Sequence, residues 1–200
     1  MTREETQTKI VEAAFRTLAE SGYHGTTMKD IATRAGLATG LAHYYFENKD
    51  DLMLAALERA CPMADLDLEG MPGLDQARLG FEAERQWQVW NKDAYKLIFD
   101  MVGTGMHNAR MAEQIRLFLN SRRDVVTGVS RAVAAESASP PKASPDAVGG
   151  AIWGAFLGIA LQRLIDPDFD GDAALGALEE MAINMAAEPA AGAAAAKGRS

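Results

Sequence analysis

Residues 26–52 read TTMKDIATRAGLATGLAHYYFENKDDL, and their local chemistry sets two short helices around a tight turn, with another helix following at once. Thr27 stands three residues before Asp30, the spacing of a capping box in which each side chain satisfies the other's backbone N–H. Ile31, Ala32 and Ala35 share the inner face behind that cap. Gly36 follows at the position where a helix ends by taking a left-handed backbone. Only Leu37 and Ala38 separate it from a second helix over about 39–46. Asn48 and Asp51 then repeat the capping spacing ahead of a helix whose inner face is Leu52, Met53, Ala56 and Leu57. Small residues at the crossing (Ala32, Ala35) and apolar anchors (Leu37, Ala42, Phe46) make this a helix-turn-helix. The outer face of its second helix carries Thr39 with His43 and Gly40 with Tyr44 by i, i+4 spacing. Gly40 has no side chain there, so the backbone can approach another surface closely.

Working outward, Ile10, Val11, Ala14, Phe15 and Leu18 form one face of a leading helix over about 6–21, with Thr2 and Glu5 at capping-box spacing before it and Gly22 as its stop. Pro62 closes the fourth helix, and MADLDLEGMPG at 63–73 reads as a joint. Longer helical patterns follow over 74–91, 93–102 and 108–136, with the GTG at 103–105 expected to break the chain. SASPPKASP at 137–145 is a loop by its prolines. Two further helices cover 146–165 and 172–187, and PAAGAAAAKGRS at 189–200 has too little to bury to order itself. No internal repeat is visible. The expected fold is all-α with about nine helices: a head at 1–61, a larger body at 62–188 and a disordered tail at 189–200.

Composition excludes several classes. A chain of 200 residues buries enough surface to need neither disulfide nor metal, and its single Cys rules out an intrachain disulfide and suits a reducing cytoplasm. The polar start at Thr2–Lys9 lacks the apolar core of a signal peptide. Ala147–Leu161, AVGGAIWGAFLGIAL, stops at Gln162 and Arg163, short of the roughly 20 residues a spanning helix needs, so no membrane segment is expected. His24, His43 and His107 have no metal-ligand spacing, and no hydrolase, phosphate-loop or redox-pair motif occurs, so no enzyme, metal or cofactor is expected. Cys61, beside Pro62, reads as a packed thiol, with a redox sensor as the alternative. The net charge of −8 opposes a polyanion partner, and residues 1–60 hold seven Lys and Arg against nine Asp and Glu. What decides is the charge on the docking face: Lys29, Arg34 and Lys49, with Arg3 and Lys9, are expected to gather there while Glu12, Glu20 and Glu58 lie elsewhere.

A helix-turn-helix of this form places its second helix in the major groove of DNA. The stretch also resembles the tetracycline-repressor (TetR) type of transcriptional regulator, whose head follows TT…IA…AG(V/L)S…G…(Y/H)(Y/H)F…K…L. Thr27, Ala32, Gly36, Phe46, Lys49 and Leu52 carry the resemblance over roughly residues 7–60, and GLATGLAHYYF most resembles the BetI-like branch, which controls choline–betaine genes. The resemblance implies a homodimeric repressor released from a palindromic operator by a small molecule. It places Thr26, Thr27, Lys29, Thr39, Gly40, Leu41, His43, Tyr44, Tyr45 and Lys49 at double-stranded DNA, with Thr27 and Lys49 at phosphates. Two departures stand out. Ala38 replaces the Ser that usually caps the recognition helix, and His43 replaces a Tyr, which would make binding sensitive to pH.

In the body, the same resemblance implies a pocket for an unidentified effector, with Phe81, Trp87, Trp90, Tyr95, Phe99, Met106, His107, Met111 and Phe118 as candidate lining. Met and aromatics there suit an apolar or cationic molecule. Gly150, Gly154 and Gly158, spaced by four, leave one helix face nearly bare and invite close approach of another helix. With Trp153, Leu157 and Leu161 they are the candidate dimer interface, intrachain packing being the alternative. A helical ligand-binding or interaction protein without DNA binding is the rival reading.

Overall fold

The computed structural model describes residues 2–60, 68–137 and 142–187. Cys61, residues 63–67 of the 63–73 joint, the middle of the 137–145 loop and the 189–200 tail lie outside the described residues. Among those described, the chain forms nine helices: α1 Arg3–Ser21, α2 Met28–Arg34, α3 Thr39–Tyr45, α4 Lys49–Ala60, α5 Gly73–Trp90, α6 Lys92–Gly105, α7 Ala109–Glu136, α8 Pro145–Ile165 and α9 Gly171–Ala187.

The predicted caps form. Thr2 and Glu5 close a capping box on α1, and Thr27 and Asp30 close one on α2. At α4 the Asp51 N–H donates to Asn48 Oδ1 at 3.0 Å, and the Asn48 amide donates back to Asp51 Oδ2 at 2.8 Å. One break falls elsewhere than the sequence suggests. The GTG does not end α6 at Val102; the helix runs on to Gly105. A Cβ at Gly105 would lie 3.3 Å from the Ala112 backbone, so the glycine serves a close approach to α7 in place of a helix stop.

The chain divides into two compact units, Met1–Pro62 with Asn91–Asn120, and Met63–Trp90 with Ser121–Ser200. In the first, α1 packs on α2, α4 and α6, and α2 packs on α3. Its core is the predicted inner faces, Ile10, Ala14, Leu18, Ile31, Ala32, Leu52, Met53, Ala56 and Leu57, joined by Tyr95, Ile98, Met101, Met111 and Phe118.

In the second unit α9 packs on α8 and α5, around Phe81, Trp87, Trp153, Phe156, Ile159 and Leu175. The Phe81 and Phe156 rings meet edge to face at 5.3 Å, and the buried Gln88 amide donates to Glu84 Oε1 at 2.7 Å and to the Phe156 carbonyl at 3.2 Å. Helix α8 extends through Gln162 and Arg163 to Ile165, which makes it long and apolar enough to cross a membrane by length and composition. Its Trp153, Phe156, Ile159 and Ala160 are nonetheless buried in the helical unit, and Arg163 pairs with Asp172 on α9.

Candidate nucleic-acid interface

The helix-turn-helix is assembled as its side chains require. Gly36 takes φ 64°, a conformation costing an L-residue roughly 1–2 kcal/mol. Ala32 and Ala42 are fully buried at the α2–α3 crossing, and Phe46 is almost so. Helix α3 begins at Ala38 with no side-chain cap, so its first N–H groups lack the partner a Ser would supply.

With its inner face anchored, α3 turns the other face outward. Gly40 and His43 are exposed, nothing lies within 4 Å of a Cβ built at Gly40, and Tyr44 is 69% exposed. Tyr45 is half-buried and meets Tyr44 edge to face at 5.3 Å, which braces the outer ring. Thr39 and Leu41 are half-buried, and Thr27 and Lys29 are exposed at the start of α2.

Two residues of the predicted set are placed differently. Thr26 is 1% exposed, and its hydroxyl donates to the Gly22 carbonyl at 2.8 Å, so its side chain serves the α1–α2 turn. The Lys49 amine donates to the carbonyls of Tyr23 and Thr26 and lies 3.7 Å from the centre of the Tyr23 ring. Burial lowers the Lys49 pKa, and the nearby Asp50 and Asp100 carboxylates work against that. The amine therefore staples the turn that presents Thr27.

The expected separation of charges also needs correction. Glu20 does not lie away from the basic set: Arg34 forms a two-pronged ion pair with it, and the Arg34 hydrogen bond holds the Glu20 carboxyl below its usual pKa. Glu12 likewise pairs with Arg59 at 3.1 Å. Lys9 instead reaches the turn, its amine 4.0 Å from a Cβ built at Gly36.

The sequence reading missed the brace behind this face. Asp100 on α6 accepts the Tyr23 N–H, and the Tyr23 hydroxyl donates to Asp50 at 2.6 Å. Burial, with the Asp50 hydrogen bond second, pushes the Tyr23 phenol up to about 12. Arg110, at the start of α7, reaches Asp51 at 3.5 Å and Glu47 at 3.6 Å. Tyr23 and Asp100 are 77 residues apart, so no local pattern announces them.

These features coincide with a known family. Residues 10–56 match the model of bacterial regulatory proteins, tetR family. The head is thus similar to that of the tetR family over those residues. It is 40% identical over 47 residues to the fatty acid metabolism regulator protein of Bacillus subtilis, 24% of each chain. It is 36% identical over 55 residues to the HTH-type transcriptional regulator BetI of Burkholderia thailandensis, 28% of each. The matches thus span about a quarter of these curated relatives, and two differently named regulators resemble the TetR head to a similar degree, which does not single out a BetI-like branch. The fold as a whole resembles a TetR transcription regulator from Haloarcula marismortui, with a TM-score of 0.73 and 21% identity over 92% of this chain and 97% of that one. The all-α reading of the sequence therefore holds from the head through the body.

The candidate effector residues are dispersed. Tyr95, Met111 and Phe118 are buried in the same compact unit as the TetR head, where Tyr95 stacks on Phe99 at 6.2 Å. Trp90 and Met106 are 81% and 74% exposed, His107 is exposed, and Trp87 is buried. A cavity of about 190 Å³ lies in the second unit, and of the candidate set it is lined by Phe81 alone. Its walls come from Val125, Val129 and Val133 of α7, Leu74 and Ala77 of α5, and Val148 and Ile152 of α8. The sequence signal for it was an aliphatic stripe on α7, overshadowed by the aromatics.

On α8 the close approach within the chain occurs at Gly149, where a Cβ would lie 2.4 Å from Thr127 Oγ1 and 2.7 Å from Thr127 Cα. Gly154 and Gly158 meet nothing within 4 Å, and Gly150 only Arg123 at 3.8 Å. Trp153 is buried, Leu157 half-buried, and Leu161 is 44% exposed.

Proposed function

We propose that the chain is a cytoplasmic, homodimeric transcriptional regulator, most simply a repressor, that binds a palindromic operator through α3 and is released by a small molecule held in the body. The observation that carries the reading is the free outer face of α3, with Gly40, His43 and Tyr44 exposed while Ala42 and Phe46 lock the opposite face into the core. That division of faces suits a helix lying in a major groove. In this reading Thr27 and Lys29 reach the DNA backbone, and Lys49 positions Thr27 through the Tyr23–Thr26 turn. On the same reading the head takes in residues 1–61 and the body runs on to 188; within the body, Asp100 and Arg110 brace the head, and the rest serves the effector and the dimer.

The face of α8 and α9 left open supports dimerisation. Gly154, Gly158, Leu161 and Ile165 on α8, with Met181 and Met185 on α9, present small and apolar surface, Ile165 being 77% exposed. Within the chain the close helix approach uses Gly149, so the Gly150–Gly154–Gly158 stripe remains for a second copy. A dimer sets two recognition helices one DNA turn apart, and an effector that favours a different separation weakens binding. Binding-site selection from random duplexes tests the reading. Enrichment of a two-fold symmetric sequence is expected, and no enrichment of any duplex would refute DNA regulation and favour an interaction protein.

A further inference from the structure

Small residues hold open the cavity of the second unit. Ala77 and Gly80 of α5, Ala134 of α7 and Ala182 of α9 all line it, and a Cβ built at Gly80 meets nothing within 4 Å. Larger aliphatic side chains at these positions would close the space, and an unfilled void forfeits packing that a protein interior otherwise keeps. The volume is about 190 Å³. An apolar cavity of roughly 150 Å³ holds benzene, so on the same scale this one suits a single molecule of about eight carbon atoms.

The walls also restrict the chemistry of that molecule. Among the described lining residues only Ser130, Ser137 and Lys142 have polar side chains, and none is a carboxylate. The Ser130 hydroxyl donates to the Val126 carbonyl at 3.0 Å, one turn back on its own helix. Ser137 and Lys142 are already engaged within the chain. The two lining rings, Phe81 and Phe156, meet each other edge to face. A charge of either sign held here would be buried without a counter-ion, and a hydroxyl or amide would give up its water partners for little in return. We infer that this cavity takes a compact, uncharged, hydrocarbon-like molecule of about eight carbon atoms, held by burial of apolar surface. That such a molecule is the effector rests on the function proposed above; its occupancy of the cavity does not.

The test uses the full chain in calorimetry with four probes of nearly equal size: ethylbenzene, benzyl alcohol, benzoate and benzylammonium. Ethylbenzene is expected to bind at one per chain, with a negative heat-capacity change and a raised thermal midpoint. Benzyl alcohol should bind about tenfold more weakly and both ions more weakly still. Gly80→Phe places a ring in the empty space and should abolish ethylbenzene binding, with circular dichroism reporting the fold. If that variant loses its helical spectrum, Ala77→Leu replaces it, with a loss of about tenfold or more expected. No binding of ethylbenzene, equal or tighter binding of any of the three polar probes, or ethylbenzene binding untouched in the folded variant overturns the assignment. Retention of the selected operator duplex is measured with and without ethylbenzene. Duplex binding by a chain that takes up no ethylbenzene sinks the ligand assignment alone, and ethylbenzene binding by a chain that retains no duplex sinks the regulatory reading alone. Release of the duplex by ethylbenzene supports both, and retention at saturating ethylbenzene supports the site while removing it as the effector site.

Discussion

Ala38 and Tyr23 show how single side chains set the presentation of α3. Ala38 occupies the N-cap with extended backbone, φ −68° and ψ 140°, and contributes no hydrogen bond. The backbone is therefore already in the geometry that a hydroxyl cap uses. Ala38→Ser is expected to stabilise the chain by about 1 kcal/mol, seen as a raised urea midpoint with unchanged slope; no change would mean that the first turn of α3 is satisfied otherwise. Tyr23 acts from behind. Its phenol is pushed from 10.0 to about 12, first by burial and then by its hydrogen bond to Asp50. A proton is thus held more tightly in the folded chain than in the unfolded one. The corresponding stability is fully present below about pH 10 and is lost as pH rises through about 12. Tyr23→Phe should flatten that part of the stability profile in alkaline denaturation, and an equally steep loss in the variant would assign it to another group.

At the scale of elements, glycine does two opposite jobs on α8. Gly149 is buried against Thr127, and a Cβ there would meet backbone as well as side chain at under 3 Å. Gly149→Ala should cost about 1–3 kcal/mol by forcing α7 and α8 apart, read as a lower unfolding midpoint. Gly154 faces open space. Gly154→Leu should leave the helical spectrum unchanged and shift sedimentation towards monomer at matched concentration. An unchanged dimer would move the interface away from this stripe. Helix α6 shows the same dependence on neighbours: its Asp100 reaches the Tyr23 N–H, so a helix distant in sequence completes the turn before α2.

For the molecule as a whole, affinity for a polyanion must arise from few charges. Arg34 and Arg59 are paired with Glu20 and Glu12, Lys49 is engaged with two carbonyls, and the chain carries a net −8. Each neutralised phosphate contributes a slope of about −0.9 to the logarithm of affinity against the logarithm of salt. The proposed dimer is expected to show a slope equivalent to fewer than about ten phosphates. A steeper dependence in fluorescence anisotropy would reveal a basic surface that the head does not display.

The helices, their caps and the α2–α3 turn were legible because each depends on residues three or four apart: Thr27 with Asp30, Asn48 with Asp51, Gly36 after Ala35. The outward residues Gly40, His43 and Tyr44 followed from the same periodicity. Periodicity could not tell which inward aromatic lines a cavity and which fills a core, since both are buried faces of a helix. Phe81 and Phe118 look alike in sequence, yet one borders the cavity and the other is packed in the unit that holds the head. The pairing of Arg34 with Glu20, the withdrawal of Thr26, the Asp100 brace and the choice of Gly149 over Gly154 were likewise decided by tertiary structure. The sequence by itself determined the elements and the family resemblance of the head, because those rest on local hydrogen bonds and spacing. Packing alone decided which charges are spent internally and where an apolar ligand has room, because those depend on chain segments brought together from afar.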